Sequence, residues 1–184
     1  MVDEFKIFPD AEAVAQAAAD FLSDQITSCV DAKAVCHVAL PGGSTPARCL
    51  QLLSSKQLPW SSIHWYVGDE RCYPRGHPER NDSMLAQQLW SRIETPAENL
   101  HPIPAELGPE LAAEKYSGLI DGIGRLDIVV LGIGEDGRTR SEPYFCAGLI
   151  GIADGFKRLP RRTVDVFLVM DVSVALDGQL ERLG

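Results

Sequence analysis

Residues 40–46 read L-P-G-G-S-T-P, directly after the apolar run 34–40 and directly before a helix-compatible stretch, and the residue types at this junction can hold a phosphate. Gly42 and Gly43 allow backbone turns closed to other residues and let N–H groups come close to a ligand. Ser44 or Thr45 can cap the helix that follows, and Pro46 suits its first position, where a missing N–H costs nothing. The N–H groups at a helix start, together with the macrodipole, favour an anion. The same glycines also suit a tight strand-to-helix turn with no ligand, so the junction alone leaves both readings open.

Two further polar loops carry candidate chemistry. Residues 68–81 concentrate Asp69, Glu70, Arg71, Arg75, His77, Arg80 and Asn81. An arginine there can grip a phosphate or carboxylate with a planar fork of donors whose charge does not titrate away. The alternative is a solvated loop of internal salt bridges, with Asp69 or Glu70 orienting Arg71 and His77 at the surface. Residues 131–144 read L-G-I-G-E-D-G-R-T-R-S-E-P-Y, again a strand running into glycines, with Asp136 near the strand end. The glycine spacing alone does not establish a dinucleotide site, because no acidic signature follows at the expected later strand.

These loops need a scaffold, and the hydrophobic pattern predicts one. A short strand is expected over 5–8. Asp10 then precedes a helix through Ile26, with Val14, Ala17, Ala18, Phe21, Leu22 and Ile26 at helical spacing. Strands are expected at 34–40, 63–67, 126–131 and 163–170. Helices are expected at 46–55, from a cap at Asn81 or Asp82 to about 93, and from Pro109 to about 120. Alternating strands and helices argue for an α/β fold of three layers, a mostly parallel sheet with helices on both faces. Ligands in such folds gather beyond the carboxyl ends of the strands, so loops 41–45, 68–81 and 132–143 are expected to meet at one pocket.

The length of 184 residues suits a single domain over 1–184. A formal charge of −9 argues against sequence-independent nucleic-acid binding and against acidic membrane surfaces, while leaving room for a small anionic ligand held by local donors. The five cysteines form no C-x-x-C pair and no metal-ligand grouping with the four histidines, so reduced, packed thiols and no metal are expected. Asp3 and Glu4 replace the basic start of a secretion signal, and no apolar run is long enough to cross a bilayer, so a cytoplasmic protein is expected.

Taken as a set, P-G-G-S-T-P at 41–46, D-E-R-C-Y-P at 69–74 with H-P-E-R-N at 77–81, and L-G-I-G-E-D-G at 131–137 resemble the 6-phosphogluconolactonase family. That family shares its fold with glucosamine-6-phosphate deaminases and ribose-5-phosphate isomerases, and the D-E-R form of the second block favours the lactonase branch. The resemblance implies hydrolysis of 6-phosphoglucono-1,5-lactone to 6-phosphogluconate in the oxidative pentose phosphate pathway, with no cofactor. It implies that Gly42, Gly43, Ser44 and Thr45 line the sugar-phosphate pocket and that Arg71 contacts the anionic substrate. Asn81 and Asp136 help shape or polarise the site, with Gly137 and Thr139 also lining it.

The third block departs from the family at its catalytic position. Where the family continues D-G-H-T-A-S-L-F-P, this chain has Arg138 in place of the histidine that accepts the proton. Arginine stays protonated through the physiological range and cannot be that base. The match is poor over 138–184, so a divergent or C-terminally truncated part is expected there, and an altered reading frame is one hypothesis for it. Sequencing the gene across codons 134–143 tests this; an intact frame hiding no H-T-A-S-L-F stretch would sink it. Alternatives to catalysis are a non-catalytic sugar-phosphate-binding protein and a glucosamine-6-phosphate deaminase-like enzyme.

Overall fold

The computed structural model describes residues 6–132, 145–146 and 164–170. Five parallel strands form the main sheet in the order β4-β2-β1-β5-β7, with β1 at Cys36–Leu40, β2 at Ile63–Val67, β4 at Leu100–His101, β5 at Leu126–Gly132 and β7 at Val164–Met170. The register runs Leu40 beside Val67, Ala39 beside Val129 and Tyr66 beside His101, so β1, β2 and β5 all end on one side of the sheet. A separate antiparallel ribbon joins β3, Glu70–Arg71, to β6, Phe145–Cys146.

The helices are α1 (Ala11–Lys33), α2 (Ser44–Leu53), α3 (Asn81–Gln88) and α4 (Pro109–Ile123). α1 packs on α2 and on β1, β5 and β7, burying Ala15, Ala18, Ala19, Leu22 and Ile26. The chain steps outward from β1 to β2 to β4 and then returns across both to β5, so right-handed crossovers put α4 on the face opposite α2 and α3. A sheet covered on both sides explains why Val38, Ala39 and Leu40 are all buried instead of alternating with polar residues.

Local chemistry moves several expected boundaries. Residues 6–8 form no strand, and Ile7 is 59% exposed; the following Pro9 has no N–H to give a ladder. α1 runs past Ile26 to Lys33, its N-cap Asp10 accepting from the Ala13 N–H at 2.8 Å and its end closed by Ala34 in the left-handed region at φ 65°. α3 stops at Gln88, and the chain continues as a 3-10 turn at Trp90–Arg92.

Three of the four histidines meet across β1, β2 and β4. His64 Nδ1 lies 3.0 Å from His101 Nε2, His37 Nδ1 lies 2.9 Å from the Tyr66 hydroxyl, and Tyr66 stacks on His101 with ring centroids 4.5 Å apart. Burial, with the His64 charge behind it, holds His37 and His101 below the ordinary imidazole range. Both groups therefore bind protons better in the unfolded chain. Their contribution to stability is complete above about pH 6.5 and is lost as pH falls toward their folded-state values. The urea midpoint should drop between neutrality and mildly acid pH, and His101→Gln should flatten that dependence. An unchanged pH profile in the variant would remove the cluster as its cause.

Candidate functional site

β1 ends at Leu40, and the chain turns through Pro41, Gly42 and Gly43 into α2. Gly43 is the N-cap, with φ 106°, a conformation that favours glycine. α2 thus starts at Ser44, earlier than the expected Pro46, and Gly43 stands at the cap position expected for Ser44 or Thr45. Gly43, with no side chain, makes no side-chain cap bond. The N–H groups of its first turn have no partner within the helix and point out beyond the strand ends, a ready site for an anion.

Gly42 is needed for a different reason. A Cβ built there would lie 1.9 Å from Asn81 Oδ1, so the Asn81 side chain, on the first residue of α3, fills the space that any other residue would claim. Asn81 Nδ2 donates to the Asp69 carbonyl at 2.7 Å, and the Gly42 N–H and the Asn81 amide are the neighbouring donors that favour the charged Asp69 carboxyl. Burial pushes the Asp69 carboxyl up, and these two donors oppose the shift. The first and second loops are thereby clamped together. Gly42→Ala should cost roughly 1–3 kcal/mol by overpacking. Adding Asn81→Ala to it should recover part of that loss, and strictly additive urea midpoints would show that the two residues do not share the space.

Glu70 and Arg80 hold Asn81 in place. Glu70 is fully buried; its Oε1 accepts from the backbone N–H groups of Asn81 at 2.7 Å and Arg71 at 2.8 Å, and its Oε2 from that of Asp82 at 2.9 Å. Asn81 and Asp82 therefore do not cap α3 themselves; a carboxylate from β3 does so, where it also faces the positive end of the helix dipole. The buried Arg80 guanidinium donates to both Asp82 oxygens at 2.9 and 2.6 Å, to the Tyr73 and Ile103 carbonyls at 2.9 and 3.0 Å, and to Glu106 Oε2 at 3.2 Å. Burial raises the Glu70 carboxyl despite its three N–H donors.

The remaining residues of this loop are partly committed to it. Arg71, half-buried, donates from Nη1 to the Glu79 carbonyl at 2.6 Å, Arg75 pairs with Glu106 at 3.0 Å, and His77 stacks on Tyr73 with centroids 4.1 Å apart. The internal salt-bridge reading holds for part of the cluster, with its central pair buried and not solvated. Glu70 and Arg80 are the internal salt-bridge set, whereas Arg71 stays at the loop surface. Cys72 is disulfide-bonded, against the expectation of five reduced thiols. Buried Cys36 and Cys49 are free thiols as expected, and burial pushes Cys49 up to about 12.

Asp136, Gly137, Arg138 and Thr139 lie outside the described residues, but both flanks of their segment are placed. Upstream, a Cβ on Gly132 would lie 4.0 Å from the Gly42 carbonyl and 4.0 Å from Pro46 Cγ. Downstream, Phe145 pairs with Arg71 in the two-stranded ribbon. Twelve residues, 133–144, therefore leave the cradle beside Gly42 and return beside Arg71.

The geometry defines a class: parallel α/β proteins with glycine-rich turns and an uncapped helix start at the carboxyl edge of the sheet. The sequence matches the family described as glucosamine-6-phosphate isomerases/6-phosphogluconolactonase over residues 9–141. The chain belongs to that family. Among its relatives, 6-phosphogluconolactonases from Nostoc and Synechocystis are each 30% identical, over 74% and 75% of this chain. The chain spans 60% and 65% of their lengths. A solved 6-phosphogluconolactonase from Thermotoga maritima has the same fold, with a TM-score of 0.69 at 19% identity, covering 85% of this chain and 94% of that one.

Proposed function

We propose that this chain binds 6-phosphoglucono-1,5-lactone at the clamped strand tips and belongs to the machinery that hydrolyses it to 6-phosphogluconate. The observation that carries the reading is the convergence of Gly42, Asn81, Gly132 and Arg71 at one edge of the sheet. In this reading the first-turn N–H groups at Gly43, Ser44 and Thr45 take the phosphate, and Arg71 adds a cation on the opposite rim. Asp136, Gly137, Arg138 and Thr139 belong to the segment between Gly132 and Phe145, and in this reading they supply the groups that act on the lactone carbonyl. Water must lose a proton as it attacks the carbonyl, charge builds on the carbonyl oxygen, and the distant phosphate anchors the ring. Arg138 can stabilise that oxyanion but cannot take the proton.

We further propose that residues 1–184 act as one sugar-phosphate unit and that it works in the cytoplasm. The free thiols of Cys29, Cys36 and Cys49 suit that compartment, and the disulfide at Cys72 does not. No helix among the described residues is long and apolar enough to cross a membrane. The arginine at the base position favours one second reading, a sugar-phosphate binder that does not turn over. Calorimetry with 6-phosphogluconate beside a coupled lactonase assay separates them. Binding with acceleration supports the enzyme, binding alone supports the second reading, and no binding overturns both.

A further inference from the structure

At the opposite end of the sheet from the cradle, three elements bring Cys29 of α1, Cys36 of β1 and Asp127 of β5 together, with their ligand atoms all within 4.8 Å of one another. Cys36 opens β1 and Leu40 closes it, so at about 3.3 Å per residue this cluster lies about 13 Å from the start of the glycine turn. We propose that Cys29, Cys36 and Asp127 form a binding site for a thiophilic divalent cation of the zinc or cadmium type, separate from the sugar-phosphate site and independent of the lactone reading.

The donor set selects this class of ion. Two thiolates and one carboxylate are soft and borderline ligands that suit zinc and its congeners, whereas magnesium and calcium want oxygen alone. Ligand atoms around a tetrahedral ion with bonds of about 2.0 to 2.3 Å sit roughly 3.5 to 4 Å apart, so the cluster needs little contraction to close. Asp127 is already aimed: its Oδ2 accepts the His37 backbone N–H at 2.8 Å, the kind of outer-shell bond that fixes a metal-ligating carboxylate. Its Oδ1 holds a cation even now, the Lys33 ammonium at 2.6 Å. The Lys33 side chain is 41% exposed and can swing into solvent as the ion enters. Arg125 Nε, 3.9 Å from Asp127 Oδ1, is a second positive charge beside the site.

Binding is a proton-for-metal exchange with no change of oxidation state. Both S–H bonds break, two protons pass to solvent, two sulfur–metal bonds and one oxygen–metal bond form, and water takes the fourth position. Burial raises both thiols above their ordinary value, so a bound metal must compete with their protons. The sequence did not disclose the site, because residues 29 and 36 have no C-x-x-C spacing and the third ligand comes 91 positions later on another strand.

The test is titration of the whole chain with cadmium ion alone, following the ultraviolet thiolate-to-cadmium charge-transfer band and proton release in weak buffer. One cadmium per chain is expected, with two protons released and an apparent affinity that rises steeply with pH across neutrality. Cys29→Ser is only half-buried and should fold. It should weaken binding by more than the roughly 10- to 100-fold that loss of an outer-shell partner costs, while Cys49→Ala should leave the band unchanged. Absence of the band at stoichiometric cadmium, or its survival undiminished in Cys29→Ser, would overturn the proposal.

Discussion

Replacing Glu70 with alanine is expected to lower stability by about 3–5 kcal/mol, the cost typical of breaking a buried charged pair from one side. Three backbone N–H groups, at Arg71, Asn81 and Asp82, lose their acceptor inside the protein, and the buried Arg80 guanidinium loses one of its three carboxylates, 3.7 Å away. Glu70→Gln keeps the shape and one acceptor oxygen, so it should cost less. Burial raises the Glu70 carboxyl, so its ionisation costs stability as pH rises through the folded-state value, and the Gln variant should lack that slope. The functional consequence runs through Asn81: once the start of α3 is released, the wall against Gly42 shifts and sugar-phosphate binding should weaken further than stability loss alone explains. Urea unfolding and calorimetry with 6-phosphogluconate measure the two effects. An alanine variant within 1 kcal/mol of the parent would show that Glu70 is not the cap on which α3 depends.

The second large effect is chemical. Arg138→His is expected to raise lactonase turnover by about 10²- to 10⁴-fold, the usual contribution of a positioned general base. The expectation rests on the family pattern D-G-H-T at 136–139, where this chain has D-G-R-T. The gained activity should follow an imidazole titration, rising with pH through about 6.5 as the histidine loses its proton. Binding of 6-phosphogluconate should change much less if, as proposed, the α2 start takes the phosphate. If the variant binds product and still fails to accelerate hydrolysis, the defect lies elsewhere than at the base.

Reading the sequence found the parts that local rules determine. Strands at 63–67 and 126–131 and the helix opening at Pro109 follow from apolar runs and proline placement. The meeting of the loops at 41–45 and 68–81 follows from parallel topology, whereas 133–143 lie outside the described residues. What escaped it depends on contacts distant in sequence. That Asn81 needs Gly42 to be glycine involves residues 39 positions apart, and nothing in either neighbourhood signals it. Likewise, the acidic residue that caps α3 sits on β3, eleven positions before Asn81, where a local capping rule does not look. The strand expected at 5–8 failed because three apolar residues around a lysine do not make a ladder without a partner edge.

The third loop is pinned at both ends, by the β5 ladder at Gly132 and by the ribbon at Phe145. Its twelve residues can therefore be exchanged as a cassette. A substitution inside it, such as histidine for Arg138, can change the chemistry carried between the two anchors without moving either of them.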